Sequence, residues 1–332
     1  MSNQLIDPFG REVNYLRVSV TDRCDFRCTY CMSENMTFLP KKDILSLEEL
    51  EIICNVFIEL GTKKIRLTGG EPLVRKGILN LIHNLGKKIG HGLEELTLTT
   101  NGMHLQKLSE SLYSSGIRRI NVSLDTIDPL KFKKITRWGK LDKVISGIMA
   151  AKSEGLKIKI NTVALRNFND NEANHLIEWC GNNGFDITFI ETMPMGDVQQ
   201  DRSKSFLPLS ILRSELNKSW TLSEISYETG GPARYLFCEE AGIKIGFISP
   251  LSHNFCSTCN RVRLTCTGKL YMCLGQNDSV NFGEIMRSSN NDDALTALIN
   301  EALLNKPKEH DFSINKKSKN PSVNRHMSVT GG

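Results

Sequence analysis

The sequence predicts an α/β protein: a partial barrel of six βα units, (βα)6 of the TIM type, followed by a C-terminal extension. Three observations lead there. Between about residues 14 and 195, short β-branched runs alternate with longer helical patterns. The chemically unusual residues of this stretch fall at the C-terminal ends of the runs, where (βα) barrels bind their ligands. After about residue 205 the alternation fades, and a second cysteine-bearing stretch, SHNFCSTCNRVRLTCTGKLYMC, takes over.

The strands in order are LRVSV, KIRLT, ELTLTT, RINVSL, KIKINTV and ITFIE. Between the first two lies SLEELEIICNVFIELG, in which Ser46 and Glu49 form a capping-box pattern and Gly61 supplies a stop. Right-handed crossovers wrap six such units into part of a barrel, short of the eight that close one. The chain length of 332 residues fits one large domain with an appendage or two modest ones. The division falls at residues 1–215 and 216–332.

The strand ends carry a pattern. A cysteine loop follows the first strand, and Gly69 to Pro72 follow the second. Thr99 and Asn101 end the third, Ser123 and Asp125 the fourth, Asn161 interrupts the fifth, and Glu191 with Met193 closes the sixth. Turn chemistry alone favours Gly, Asn, Asp and Ser at such places, but not three cysteines. The stretch from Asn305 to His326 is polar and lysine-rich, so part of it is expected to be mobile.

MSNQLIDPFGRE lacks the features of a secretory signal, and no apolar run approaches the roughly 18 residues of a spanning helix. A soluble cytoplasmic protein with no membrane association is the reading. Thiols stay reduced in that compartment, so clustered cysteines among the 10 present point to metal or catalysis. Cys54, Cys180 and Cys238 sit in apolar surroundings and read as small buried hydrophobes. The net charge of +5 is compatible with a polyanionic small substrate. A metal module binding RNA or DNA through its basic tail is a rival, but six βα units with polar strand ends describe a catalytic scaffold better, and no nucleic acid is expected as a partner.

Cys24, Cys28 and Cys31 are spaced C-x3-C-x2-C, with no fourth ligand near in the chain. Structural zinc needs four ligands, and the first histidine, His83, is distant. A cubane 4Fe-4S cluster on three thiolates leaves one iron open. The amino and carboxylate groups of S-adenosylmethionine could chelate that iron and bring the sulfonium beside a reducing cluster. With Tyr30 before the last cysteine and the GGEP of Gly69 to Pro72 one strand later, the sequence resembles the radical S-adenosylmethionine superfamily.

Cys256, Cys259 and Cys273 form a second triplet, with Cys266 as a possible fourth member. With Cys266 the site is closed and could be zinc; without it, a second cluster has an open iron for a substrate atom. TDRCDFRCTYCM, KIRLTGGEP, LTTNG, NVSLD, CSTCNRVRL and the terminal Gly331 and Gly332 together resemble the GTP 3',8-cyclase family of molybdenum cofactor biosynthesis, from about Arg11 to the last residue.

The resemblance implies a lyase with two 4Fe-4S clusters, the second held by Cys256, Cys259 and Cys273 alone. It implies S-adenosylmethionine contacts at Tyr30, Gly70, Ser123 and Met193. GTP contacts fall at Arg17, Arg66, Thr99, Lys159, Arg261, Val262 and Arg263, through backbone alone for Val262. The implied reaction removes hydrogen from the ribose 3' carbon, joins that carbon to C8 of guanine, and gives (8S)-3',8-cyclo-7,8-dihydroguanosine 5'-triphosphate. Arg261, Arg263, Gly331 and Gly332 are the implied catalytic residues, the glycines as a tail that enters the active site. An external electron donor, a homodimer and a downstream cyclic pyranopterin monophosphate synthase complete what the family implies.

The residues agree with this on physical grounds. A triphosphate needs several cations, and the guanidinium fork suits phosphate oxygens. Arg17, Arg66 and Lys159 lie on three strands with their ends at one mouth, so their charges can converge. A radical S-adenosylmethionine peptide maturase with an auxiliary cluster is the other reading of the same barrel; it leaves NRVR and the terminal glycines unexplained.

Overall fold

The computed structural model describes residues 4–198, 201–288, 292–314 and 321–331. All six expected strands form: β1 (Tyr15–Ser19), β2 (Lys64–Thr68), β3 (Glu95–Thr100), β4 (Arg119–Ser123), β5 (Lys157–Ala164) and β6 (Asp186–Glu191). They pair in parallel and in chain order. A helix lies in each crossover, beginning with Leu47–Glu59. The Ser46 hydroxyl accepts from the Glu49 amide at 3.1 Å while the Glu49 carboxylate accepts from the Ser46 amide at 2.6 Å, closing the capping box. Gly61, at φ +97°, ends that helix in a left-handed conformation.

The strands alternate. Leu16, Val18, Ile65, Leu67, Leu96, Leu98, Ile120, Val122, Ile158 and Ile160 join the buried core beneath the helices. Tyr15, Arg17, Arg66, Thr99, Asn121 and Lys159 occupy the other face and line a pocket. Parallel strands covered on both sides usually read as continuous apolar runs. In β1 to β4 every second residue is polar, and that face lines the pocket. Asn161 does not interrupt β5; it pairs with Ser123 on one side and Thr188 on the other, and the strand continues to Ala164. Its side chain is polar because it faces inward, and its backbone is ordinary strand.

The C-terminal part extends the same sheet. Strands β7 (Leu222–Glu224), β8 (Arg234–Cys238), β9 (Ile243–Ile248), β10 (Arg261–Leu264), β11 (Lys269–Tyr271) and β12 (Ser279–Asn281) follow. Strand β9 pairs in parallel with β6 at one edge, and β10 pairs in parallel with β1 at the other. Eight parallel strands therefore stand in a row, β10-β1-β2-β3-β4-β5-β6-β9, and the row stays open because antiparallel strands continue it at both ends. Residues 249–260 run from the C-terminal end of β9 to the N-terminal end of β10, across the open side.

Glu191 at the end of β6 pins this crossing. Its carboxylate accepts from the amides of Leu209, Leu251 and Ser252 at 3.1, 3.0 and 3.1 Å, and from the Ser252 hydroxyl. Replacing it with alanine leaves three amides and a hydroxyl unpaired, which should cost about 3 kcal/mol. A lower urea midpoint of the apoprotein with an unchanged slope reads that loss.

Cys54, Cys180 and Cys238 are fully buried among apolar side chains, as expected. In the polar stretch from Asn305, Lys306 and Val323 are buried, while residues 315–320 lie outside the described residues. Among the described residues no helix is long and apolar enough to cross a membrane.

Candidate active site

Cys24, Cys28 and Cys31 sit half-buried in the loop after β1. Burial pushes the Cys28 thiol well above its usual value, with Cys31 and Cys24 adding to the effect. The loop is seated by the GGEP segment. Gly70 donates its amide to the Thr21 carbonyl at 2.9 Å, and Glu71 donates to Arg23 at 2.8 Å. A Cβ on Gly70 would fall 2.3 Å from the Arg23 carbonyl oxygen, so only glycine permits this approach. With its amide engaged, Gly70 can offer a ligand its carbonyl. The Glu71 carboxylate accepts from Thr100 Oγ1 at 2.8 Å, the Leu73 amide at 3.0 Å and the Asn101 amide at 2.6 Å, tying the ends of β2 and β3 together. Tyr30 donates to Asp125 at 2.8 Å, which fixes the loop against the end of β4.

At the opposite end of the strands, Cys256 and Cys259 lie just before β10 and Cys273 just after β11, which descends antiparallel beside it. Cys273 feels both Cys259 and Cys256. Cys259 differs from the other thiols: burial would raise it, but Arg261, Lys306 and Arg11 outweigh burial and bring it to about 7. Cys266 is elsewhere, fully buried at the far end of β10 beside Asp22 and Arg75, its carbonyl accepting from the Leu45 amide. Cys266→Ala should leave the iron content of both sites unchanged, read as iron per chain after reconstitution. A loss of half the iron would make it a ligand.

Among the described residues no three His, Cys, Asp or Glu side chains converge on a single ion. A cubane places each of its thiolates on a different iron, so its ligands stand further apart than those of zinc. Each triplet supplies three free thiols, the donor chemistry of an iron-sulfur cluster.

Between the triplets lies the pocket. Arg17, Arg66, Thr99, Lys159, Met193, Arg261 and Arg263 line it together with Cys256, Cys259 and Cys273. Register explains the convergence: Arg263, Arg17 and Arg66 stand side by side on β10, β1 and β2. They sit mid-strand on the inner face, which repeats every second residue along each strand, so the charges of Arg17 and Arg66 converge inside the barrel. Arg66 donates to Thr99 Oγ1 at 3.3 Å, and Lys159 to the Tyr235 hydroxyl at 2.9 Å.

Among the described residues no carboxylate forms an ion pair with Arg66, Lys159, Arg261 or Arg263. Burial, then Arg17 and Arg261, hold Arg263 well below its usual pKa. Tyr15 reports the same field: burial would raise its phenol, but Arg66, Arg17, Lys64 and Arg261 together bring it to about 8. Arg66 Nε, Asn121 Oδ1 and Asn161 Oδ1 are buried without a hydrogen-bond partner, and all three residues line the pocket. Such an arrangement waits for an anion with polar groups.

The other expected residues lie around it. Ser123 ends β4 beside Asn161. The Val262 side chain is in the core, so only its backbone can meet a ligand. Gly331 is buried, its carbonyl accepting from Arg263 at 2.9 Å. A Cβ there would fall 2.1 Å from Thr68 Cγ2. Gly332 lies outside the described residues. Sequence reasoning missed Tyr15, Lys64 and Asn121, which the two-residue period of YLR, KIR and NVS places beside recognised residues. It also missed Tyr235, Lys306 and Arg325, for which no local signal exists.

The "Radical SAM superfamily" profile matches residues 18–180, and "Molybdenum Cofactor Synthesis C" matches residues 185–312. A GTP 3',8-cyclase of Rhizobium etli is 61% identical over 328 residues, covering 99% of this chain and 94% of that protein. GTP 3',8-cyclases of Agrobacterium fabrum and Mesorhizobium japonicum are each 58% identical over 329 residues and 99% of this chain, covering 94% and 99% of those proteins. Streptococcus suis SuiB bound to S-adenosylmethionine shares the fold, with a TM-score of 0.62 at 16% identity over 96% of this chain and 78% of that one. The full-length relatives settle between the two enzyme readings that the barrel alone left open. This chain is a radical S-adenosylmethionine protein, with the 4Fe-4S cluster and S-adenosylmethionine which that implies, and it belongs to the GTP 3',8-cyclase family.

Proposed function

We infer that this chain converts GTP into (8S)-3',8-cyclo-7,8-dihydroguanosine 5'-triphosphate, joining the ribose 3' carbon to C8 of guanine at an early step of molybdenum cofactor biosynthesis. The observation that supports it best is the row Arg263, Arg17 and Arg66 inside the barrel, with a cysteine triplet at each end of the strands.

Cys24, Cys28 and Cys31 would hold the first cluster, which with S-adenosylmethionine supplies a 5'-deoxyadenosyl radical. Tyr30, Gly70, Ser123 and Met193 place S-adenosylmethionine above the pocket. Cys256, Cys259 and Cys273 would hold a second 4Fe-4S cluster, which would supply a binding site for guanine. Arg17, Arg66, Thr99, Lys159, Arg261 and Arg263, with the Val262 backbone, bind GTP between the two. The enclosing strands and the crossing segment exclude water from the reacting carbon. The Gly331 carbonyl holds Arg263 in place, and Gly332, which lies outside the described residues, joins it as a catalytic residue on the strength of the family.

The division near residue 215 separates the part that handles S-adenosylmethionine from the part that supplies the second triplet and the tail. An external electron donor, a homodimer, a cytoplasmic location and delivery of product to a cyclic pyranopterin monophosphate synthase complete the proposal, on the strength of the family.

The test is anaerobic incubation of reconstituted protein with S-adenosylmethionine, a strong reductant and GTP deuterated at the ribose 3' carbon. Deuterium in the 5'-deoxyadenosine formed is the expected result. Formation of 5'-deoxyadenosine without deuterium, irrespective of GTP, would sink the assignment of substrate and atom.

A further inference from the structure

Lys306 is 3% exposed, just past the helix Asp292–Leu304, in a stretch whose sequence reads as a polar tail. Its ammonium has three protein acceptors: Cys259 Sγ at 3.6 Å, the Arg261 carbonyl at 3.0 Å and the Met272 carbonyl at 2.8 Å. An ammonium has three donors, and all three are taken. The acceptors comprise one cysteine of the second triplet, the first residue of β10, and the residue preceding Cys273.

A buried ammonium is a costly way to bridge two carbonyls, since an amide does so without charge. No carboxylate among the described residues pairs with Lys306. Two other cations act on Cys259: Arg261, which lines the pocket, and Arg11, which is paired with Asp7 at 2.5 Å and spends its guanidinium on the Cys256, Pro307 and Lys308 carbonyls. The anion Lys306 faces is therefore the thiolate of Cys259.

We propose that Lys306 is a positioning residue of the second cluster: it donates to the Cys259 ligand sulfur, sets the separation of Cys259 and Cys273 through its two carbonyl bonds, and raises the cluster's reduction potential with its charge. The proposal rests on the reading that Cys256, Cys259 and Cys273 hold a cluster. Thiolate ligation leaves such a cluster anionic, and more so on reduction, so an adjacent fixed cation favours the reduced form; hydrogen bonds to ligand sulfur act in the same direction. One residue thereby couples ligand geometry to the strand that presents Arg261 and Arg263.

The experiment compares the full chain with Lys306→Met, Lys306→Gln and Lys306→Arg. Iron per chain is counted after reconstitution. The second cluster's midpoint potential is measured by EPR-monitored titration in full-length protein whose Cys24, Cys28 and Cys31 are alanine, so that one cluster is read. Lys306→Gln keeps donors for the carbonyls without the charge, which separates electrostatics from bracing.

The expected result is a more negative midpoint in Lys306→Met and Lys306→Gln, with the original value largely kept in Lys306→Arg. Loss of the second cluster's iron from the uncharged variants with retention in Lys306→Arg would support the same assignment. Unchanged potentials, or equal iron loss in all three variants, would overturn it. Four irons per chain in the unsubstituted protein, in place of eight, would instead overturn the second cluster itself and this role with it.

Discussion

A chain ending at Thr330 should load as much iron and bind S-adenosylmethionine as well as the full chain does, yet turn over about 100-fold more slowly or worse. The tail is built into the site. Gly196 donates its amide to the Val323 carbonyl at 2.8 Å, and Ser322 donates to Pro194 at 2.9 Å, which ties the segment to the loop after β6. Arg325 donates to the Cys273 carbonyl at 3.2 Å and the Leu274 carbonyl at 2.5 Å while covering Tyr271 at 4.1 Å, which ties it to the loop of the second triplet. So held, the chain end delivers the Gly331 carbonyl to Arg263.

Truncation removes that carbonyl and lets a buried guanidinium shift, and a displacement of about 1 Å in a positioning group can cost about 100-fold in rate. Gly331→Ala should reproduce the loss in full-length protein. Its φ of +74° disfavours any side chain, and the new Cβ would overlap Thr68. Initial rates set beside iron content and GTP affinity make the measurement. Full activity in the truncated chain would remove the tail from the mechanism.

What the sequence could show divides along a physical line. The strands of the first part, the capping box at Ser46 and both cysteine triplets were legible because each rests on residues adjacent in the chain or on a short period. Strand β10 was not, since its partner is β1 and a pairing such as Leu16 with Val262 leaves no local trace. The same holds for β9 on β6. The positions of Arg17, Arg66 and Lys159 inside the barrel were hidden by a different cause. Their spacing shows which face they share, but not that the sheet curls until those faces meet. Lys306 was lost because a buried cation and a solvated one have the same letter, and the acceptors that distinguish them come from β10 and the residue before Cys273.

The second large effect is expected at Lys159. Burial, then Arg66, Arg119 and Lys64, hold its ammonium well below the usual lysine value of 10.5, and its polar contact is the neutral Tyr235 hydroxyl. In the ligand-free protein this lysine is a liability. At any pH between its depressed value and 10.5 the unfolded chain binds more protons than the folded one, so stability rises with pH across that window. A triphosphate reverses the balance by supplying the anion, and the lysine regains its proton.

GTP binding should therefore take up a proton at mildly alkaline pH, seen as a calorimetric enthalpy that varies with the ionisation enthalpy of the buffer. Lys159→Met should abolish that dependence and weaken GTP binding by about 30-fold or more, the roughly 2 kcal/mol or more carried by a buried charge-assisted contact. The same substitution should leave the melting temperature of the ligand-free protein unchanged or raise it, because a buried like-charged group is replaced by an apolar one of similar length. Stability gained and affinity lost in a single variant is the signature of a cation held in place for a ligand. A variant that lost both would instead mark Lys159 as a structural residue and move the phosphate site along the sheet toward Arg66 and Arg17.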